Sequence, residues 1–202
     1  EGADILVDIS PYDIEAIRKL TFTHNFESEK YYRSSTWQSI LENGDALFQA
    51  NRKDPKYVTH GIHPYKGKFY PQLAKSLFNL AELKIGQNIL DPFCGSGTVL
   101  LEGYLNGFSA KGLDINPLAV KIARAKTDIL SIDPYLTDRL LKYIIDKLGK
   151  IVPVSEYAGY FNEGILSELE SWFPIDVLQK IGGIIRLLDE IPEPTVKEFV
   201  EV

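Results

Sequence analysis

Asn88–Asn116 reads NILDPFCGSGTVLLEGYLNGFSAKGLDIN, and its pattern decides the fold. Ile89 and Leu90 are the apolar end of a short buried strand, closed by Asp91, Pro92 and Phe93. Gly95 and Gly97 permit a tight turn and a close approach of a ligand to the backbone. Thr98 to Asn106 follows with helical periodicity and stops at Gly107. Ala110 to Leu113 is a second strand, and Asp114 sits at its C-terminal end. Asp114 follows Asp91 by 23 residues, about one strand–helix–strand unit. Both carboxylates are therefore expected at one edge of a parallel sheet, the edge at which open α/β sheets bind ligands.

The glycines fit neither of the common phosphate-binding loops. A dinucleotide fingerprint needs a third glycine where Leu100 stands, and a P-loop needs a lysine that does not follow Gly97. The turn instead lies beside Asp91, whose carboxylate repels a pyrophosphate. It favours a ligand that is cationic on that side and carries a ribose on the other. S-adenosylmethionine has this character, with Asp114 positioned to accept from the ribose hydroxyls. The competing reading is a β–α–β unit whose glycines only make a turn.

DPFCGSGT followed by GLDINPLAV resembles the cofactor-binding motifs of class I S-adenosylmethionine-dependent methyltransferases. Upstream, HPYKGKFYP (His63–Pro71) resembles the segment that precedes that motif in amino-methylating DNA methyltransferases. Those enzymes modify N4 of cytosine or N6 of adenine, many within restriction–modification systems. The clear resemblance covers His60 to Lys126, with a looser likeness through Trp172-Phe173. It implies a Rossmann-like α/β sheet and S-adenosylmethionine as cofactor. It also implies cofactor-binding roles for Lys68, Phe69, Asp91, Phe93, Gly95, Gly97, Thr98, Asp114 and Ile115. Lys68 and Phe69 match the pair beside the methionine end of the cofactor. A lysine there is able to pair with the α-carboxylate, and an aromatic ring to cover the sulfonium. Ile115 matches the residue that packs on adenine.

The 202 residues suffice for one domain with a sizeable core and an appendage. Hydrophobic content of 45% with 25% charged residues is ordinary for a soluble protein, and no apolar run is long enough for a membrane span. The single cysteine, Cys94, excludes an internal disulfide and fits a cytoplasmic protein; it reads as packing. The net charge is −6, and residues 151–202 alone hold three Lys/Arg against ten Asp/Glu, which argues against that tail lying on DNA. Arg52 to Lys68 carries five Lys/Arg and one acid, either a solvated loop or a phosphate-contacting one. His60 and His63 have no cysteine or third histidine nearby, so no zinc site is expected.

Three regions follow: an appendage over 1–58, a cofactor-binding α/β core over 59–154, and a helical segment over 155–202. The appendage is expected to be mainly helical, from Ser10-Pro11 and Ser39–Ala50, with a short strand at Ile5–Val7. Its aromatic set, Phe22, Phe26, Tyr31, Tyr32 and Trp37, is expected to pack on the core rather than stack bases. In the core, an amphipathic helix is predicted over Gln72–Leu83 with Leu73, Leu77, Leu80 and Ala81 on one face. Asn116 caps another, starting at Pro117, with Leu118, Ile122 and Ala125 as its buried stripe. A third strand is expected near Ile151–Val154. Further helices are expected over Thr137–Leu148, over Val177–Leu188 despite Gly182-Gly183, and from Thr195.

Amino-methylating enzymes carry a [D/N/S]-P-P-[Y/F/W] catalytic tetrapeptide. Asp133-Pro134-Tyr135 lacks the second proline and reads as the start of a helix. No catalytic residue is therefore assigned. The sheet is expected to be incomplete, with the catalytic motif and the DNA-binding region C-terminal to Val202 or on a second chain. Alone, the piece is expected to bind cofactor without methylating. In the complete enzyme the motif's backbone carbonyl and polar side chain would accept the hydrogens of a flipped-out base's amine. Three alternatives stand beside this. One is a tRNA guanine-N2 methyltransferase, which also shows DPFCGSGT; another is a non-catalytic cofactor-binding subunit. The third is a structural domain with a vestigial pocket.

Overall fold

A computed structural model describes residues 57–202, together with Lys19, Asn25–Phe26 and Ser34–Thr36. The chain divides into two compact units, residues 1–127 and 128–202. Within the described part of the appendage, β1 (Asn25–Phe26) pairs antiparallel with β2 (Ser34–Ser35). The expected strand at Ile5–Val7, the two expected helices and most of the aromatic set lie outside the described residues.

The rest of the first unit is α1 (Pro71–Leu80), β3 (Asn88–Asp91), α2 (Thr98–Leu105), β4 (Ser109–Gly112) and α3 (Pro117–Asp128). β3 and β4 pair parallel, Asn88 opposite Ser109 and Asp91 opposite Gly112, with α2 as the crossover that parallel neighbours require. The ladder runs past both strands: Leu113 N donates to Asp91 O and Cys94 N to Leu113 O, each at 2.9 Å. Ile89 and Ala110 face α2 at Gly103, where an added Cβ would lie 3.0 Å from the Ala110 Cβ.

Three expectations about packing are corrected here. Leu90 is 66% exposed rather than buried, because the alternation of the strand turns it away from α2. In α1 the buried residues are Pro71, Gln72, Ala74, Lys75 and Phe78, while Leu73, Leu77 and Leu80 are exposed. Phe78 sets that choice by packing edge-to-face on Phe108, with ring centroids 5.4 Å apart. In α3, Ile122 and Ala125 are buried as expected and Ala119 replaces Leu118 in the stripe. Asn116 caps α3, its side-chain oxygen accepting from Leu118 N at 3.0 Å.

The second unit holds α4 (Pro134–Leu148), α5 (Glu163–Trp172), α6 (Ile175–Asp189) and α7 (Pro194–Val200), with 3₁₀ turns at Ile129–Ser131 and Tyr157–Tyr160. Its core joins Ile129, Ile144, Ile191 and Val196, flanked by Leu140, Leu188 and Phe199. α5 lies within the segment expected to be helical, although no particular helix is predicted over these residues, and it buries no residue of its own. Ile151–Val154 forms no strand; it lies across α6 instead, with Val154 N donating to Gln179 O at 3.1 Å. The mid-helix glycines make this crossing possible, since a Cβ on Gly183 would stand 2.7 Å from Val152 O and one on Gly182 2.6 Å from Val154 Cγ2.

Asp133-Pro134-Tyr135 is the helix start that the sequence indicates. The Asp133 carboxylate caps α4 by accepting from Tyr135 N at 2.9 Å, and Pro134 occupies the first helical position. Asp133→Ala is expected to lower stability by about 1 kcal/mol. Urea denaturation at neutral pH reads this directly, and an unchanged midpoint would show that the cap carries no stability.

Candidate functional site

The site is built where β3 runs into α2. At the end of β3 the Asp91 carboxylate accepts from Phe93 N at 3.1 Å, an Asx turn that redirects the chain. Gly97 N then donates to Cys94 O at 2.8 Å and closes the glycine turn, with Gly95 at φ +51° and Gly97 at φ +75°. Across the sheet edge, Asp114 leaves β4 and returns to this turn. Its Oδ2 accepts from Gly95 N and its Oδ1 from Asn116 N, both at 2.8 Å. The turn is thus held by a carboxylate from the neighbouring strand, and Asp91 and Asp114 share one edge as their spacing predicts.

A cleft of about 360 Å³ opens beside this turn. Phe69, Leu77, Leu90, Asp91, Phe93 and Gly95 supply much of its wall, and Thr98 closes it at the start of α2. Five of the nine residues assigned from the sequence (Phe69, Asp91, Phe93, Gly95 and Thr98) therefore meet in one cavity. The other four do not line it. Asp114 is one hydrogen bond away through Gly95, and Gly97 is the cap of α2. Ile115 is 99% exposed on the loop after Asp114. Lys68 Nζ donates to His60 O at 2.9 Å and to His63 O, so its ammonium clasps its own loop.

Cys94 is buried in the turn. Burial, with the negative charges of Asp91 and Asp114 added, pushes its thiol up. It therefore stays protonated and packs rather than acting as a nucleophile.

Several buried polar residues behind the cleft escape sequence reading. Tyr57 and His60 converge on Glu102 of α2, and Thr59 Oγ1 donates to Lys126 O on α3 at 2.9 Å. Lys126 is fully buried, and its ammonium donates to Ser96 O at 2.9 Å and reaches Ser96 Oγ at 3.4 Å. Their only signal in the sequence is position: Glu102 follows Thr98 by one turn, and Lys126 follows Ile122 by one turn, each within a stripe that must be buried.

Desolvation, with a smaller contribution from the Lys68 charge, lowers the Lys126 pKa from 10.5 to about 8. Below pH 8 the amine is charged in both folded and unfolded states, and the cost of burying it is fully present. Between about pH 8 and 10.5 the unfolded chain binds more protons than the folded one, so stability rises with pH. Measured against Lys126→Met, the wild type is expected to gain on the order of 3 kcal/mol across that window. Urea denaturation of both proteins at pH 7.5 and 10.5 gives the difference; a constant difference would mean that Lys126 does not titrate there.

Comparison with known proteins places methyltransferase-type sequence at this site. Residues 62–131 match the family model described as RMKL-like, methyltransferase domain. The chain is 40% identical over 144 residues to the type II methyltransferase M.MjaII of Methanocaldococcus jannaschii, covering 66% of this chain and 26% of that protein. It is 32% identical over 151 residues to the type II methyltransferase M.MvaI of Kocuria varians, covering 71% and 32%. It is also 30% identical over 158 residues to the tRNA (guanine(10)-N2)-dimethyltransferase of M. jannaschii, covering 77% and 41%. The matched stretch thus spans between about a quarter and two-fifths of these relatives' own length. No solved structure gives a significant match.

Proposed function

We propose that this chain is the S-adenosylmethionine-binding part of a class I DNA methyltransferase that modifies an exocyclic amino group of cytosine or adenine. The observation that carries the reading is the glycine turn, tied by Gly95 to Asp114 and open beside Asp91 to the cleft. The residues fit the cofactor. The cleft lies within the roughly 300–1,000 Å³ of small-molecule sites. Asp91 lines it and carries a carboxylate, one oxygen of which accepts from Phe93 N, suited to a cationic group. Each Asp114 oxygen accepts one backbone N–H and keeps room for a ribose hydroxyl, since a carboxylate offers about four acceptor positions. Phe69, Phe93 and Ile115 present apolar surface for the sulfonium side and for adenine. When bound, S-adenosylmethionine supplies an electrophilic methyl group on a positively charged sulfur. The chain's own residues bind it, orient it and exclude water.

The catalytic motif lies outside this chain in this reading. Asp133, the nearest approach to it, is occupied as a helix cap. On the first unit, Leu73, Leu80 and Leu113 are exposed outside the cleft, and no further strand pairs with β3 among the described residues. An open strand edge beside uncovered leucines is what a sheet awaiting further strands presents. The likeness of His63–Pro71 to amino-methylating DNA enzymes favours DNA as substrate, as does the 40% identity to M.MjaII over 144 residues against 30% over 158 residues for the tRNA dimethyltransferase of the same organism. A second reading, methylation of a guanine amino group in tRNA, rests on the similarity to the tRNA dimethyltransferase.

Titration calorimetry with S-adenosylmethionine tests the first step, with saturable one-to-one binding expected. A folded chain that gives no heat would overturn a self-sufficient cofactor site. Transfer of labelled methyl by the complete protein to duplex DNA, and not to tRNA, separates the two substrates.

A further inference from the structure

We propose that Glu102, which does not line the cleft, is a positioning residue for the cofactor; this rests on the cofactor reading above. Glu102 lies on α2, which starts at the glycine turn, and its side chain is fully buried. Tyr57 OH donates to its Oε1, and His60 Nε2 hydrogen-bonds the same oxygen at 2.9 Å. The Tyr57 and His60 rings meet edge-to-face, with centroids 4.9 Å apart. Oε2 has no hydrogen-bond partner among the described residues. A buried carboxylate so incompletely satisfied is costly, and an apolar residue would fill the position at less cost.

What the carboxylate secures is the path of residues 57–68. That segment is fixed to α2 at Tyr57 and His60, and to α3 by the Thr59 hydroxyl on Lys126 O. Lys68 closes it on itself through the carbonyls of His60 and His63. Tyr65, from the same segment, lies against the glycine turn: a Cβ on Gly95 would be 3.6 Å from Tyr65 Cε1. The segment delivers Phe69 into the wall of the cleft. Glu102 therefore sets, through His60 and Lys68, where the aromatic wall of the methionine end stands relative to the turn.

The test compares the wild-type chain with Glu102→Gln, which keeps the volume and removes the charge. Two ligands are titrated: S-adenosylmethionine, and 5′-methylthioadenosine, which lacks the amino-acid tail. Glu102→Gln is expected to weaken the first about tenfold and the second by less than about twofold. Amide hydrogen exchange at His60 and Tyr65 is expected to speed up while that of Ile89 and Leu90 stays unchanged. Tyr57→Phe, which removes one clamp from the segment's side, is expected to show the same selectivity to a smaller degree. Equal weakening of both ligands, or no change in exchange, would overturn the positioning role. Wild-type protein that binds neither ligand would overturn the cofactor reading itself, and this inference with it.

Discussion

Asp114→Ala is expected to weaken S-adenosylmethionine binding by about 100-fold or more. The substitution removes two hydrogen bonds to a charged acceptor, from Gly95 N and Asn116 N, both 2.8 Å long. Each such bond contributes about 1.5–3 kcal/mol. The first holds the glycine turn in the shape that lines the cleft, and the second holds the loop that presents Ile115. In the proposed site the same carboxylate accepts from the ribose, so the ligand contact and its supports are lost together. Asp114→Asn separates these contributions. Its one remaining carbonyl oxygen is able to keep one backbone partner, and a loss of about tenfold is expected. Calorimetry measures both variants, and thermal melting reports how much of the effect is loss of fold. An Asp114→Ala protein that binds within about threefold of wild type would remove Asp114 from the site.

Gly97→Ala is expected to be the most destabilising single-methyl addition near the cleft, costing about 2–5 kcal/mol. Two effects add. Gly97 sits at φ +75°, where an L side chain costs about 1–2 kcal/mol. The added Cβ would also stand 2.7 Å from Ala123 Cβ and 2.9 Å from Ala123 Cα. The second of these is backbone of α3, which has no rotamer with which to yield, so α2 and α3 must separate. Gly67→Ala is the control. Gly67 has the same backbone sign, φ +76°, with nothing within 4 Å of its would-be Cβ. It is expected to cost only the backbone penalty of about 1–2 kcal/mol. Urea denaturation of both variants gives the packing contribution as their difference. Equal costs would show that the contact with Ala123 relaxes freely. Cofactor binding is expected to fall with Gly97→Ala, because the turn that lines the cleft must shift with α2.

The sequence by itself determined the strand–turn–helix–strand unit and the placing of Asp91 and Asp114 at one sheet edge. It also fixed the Asn116 and Asp133 helix starts. These features depend on neighbours in the chain. A glycine turn, a capping oxygen two residues before its amide, and a crossover of fixed length act over short distances whatever surrounds them. Tertiary structure alone decided which face of α1 is buried, because periodicity groups residues on faces without saying which face meets a neighbour. Phe108 chose the face of Phe78, against three leucines. It likewise decided that Ile151–Val154 lies on the glycines of α6 instead of joining the sheet. The buried charges were hidden for the same reason. Glu102 meets His60 across 42 residues of chain, and Lys126 meets Ser96 across 30. A charged residue in an apolar stripe becomes a buried anchor only when such distant partners arrive, and nothing local records that they will.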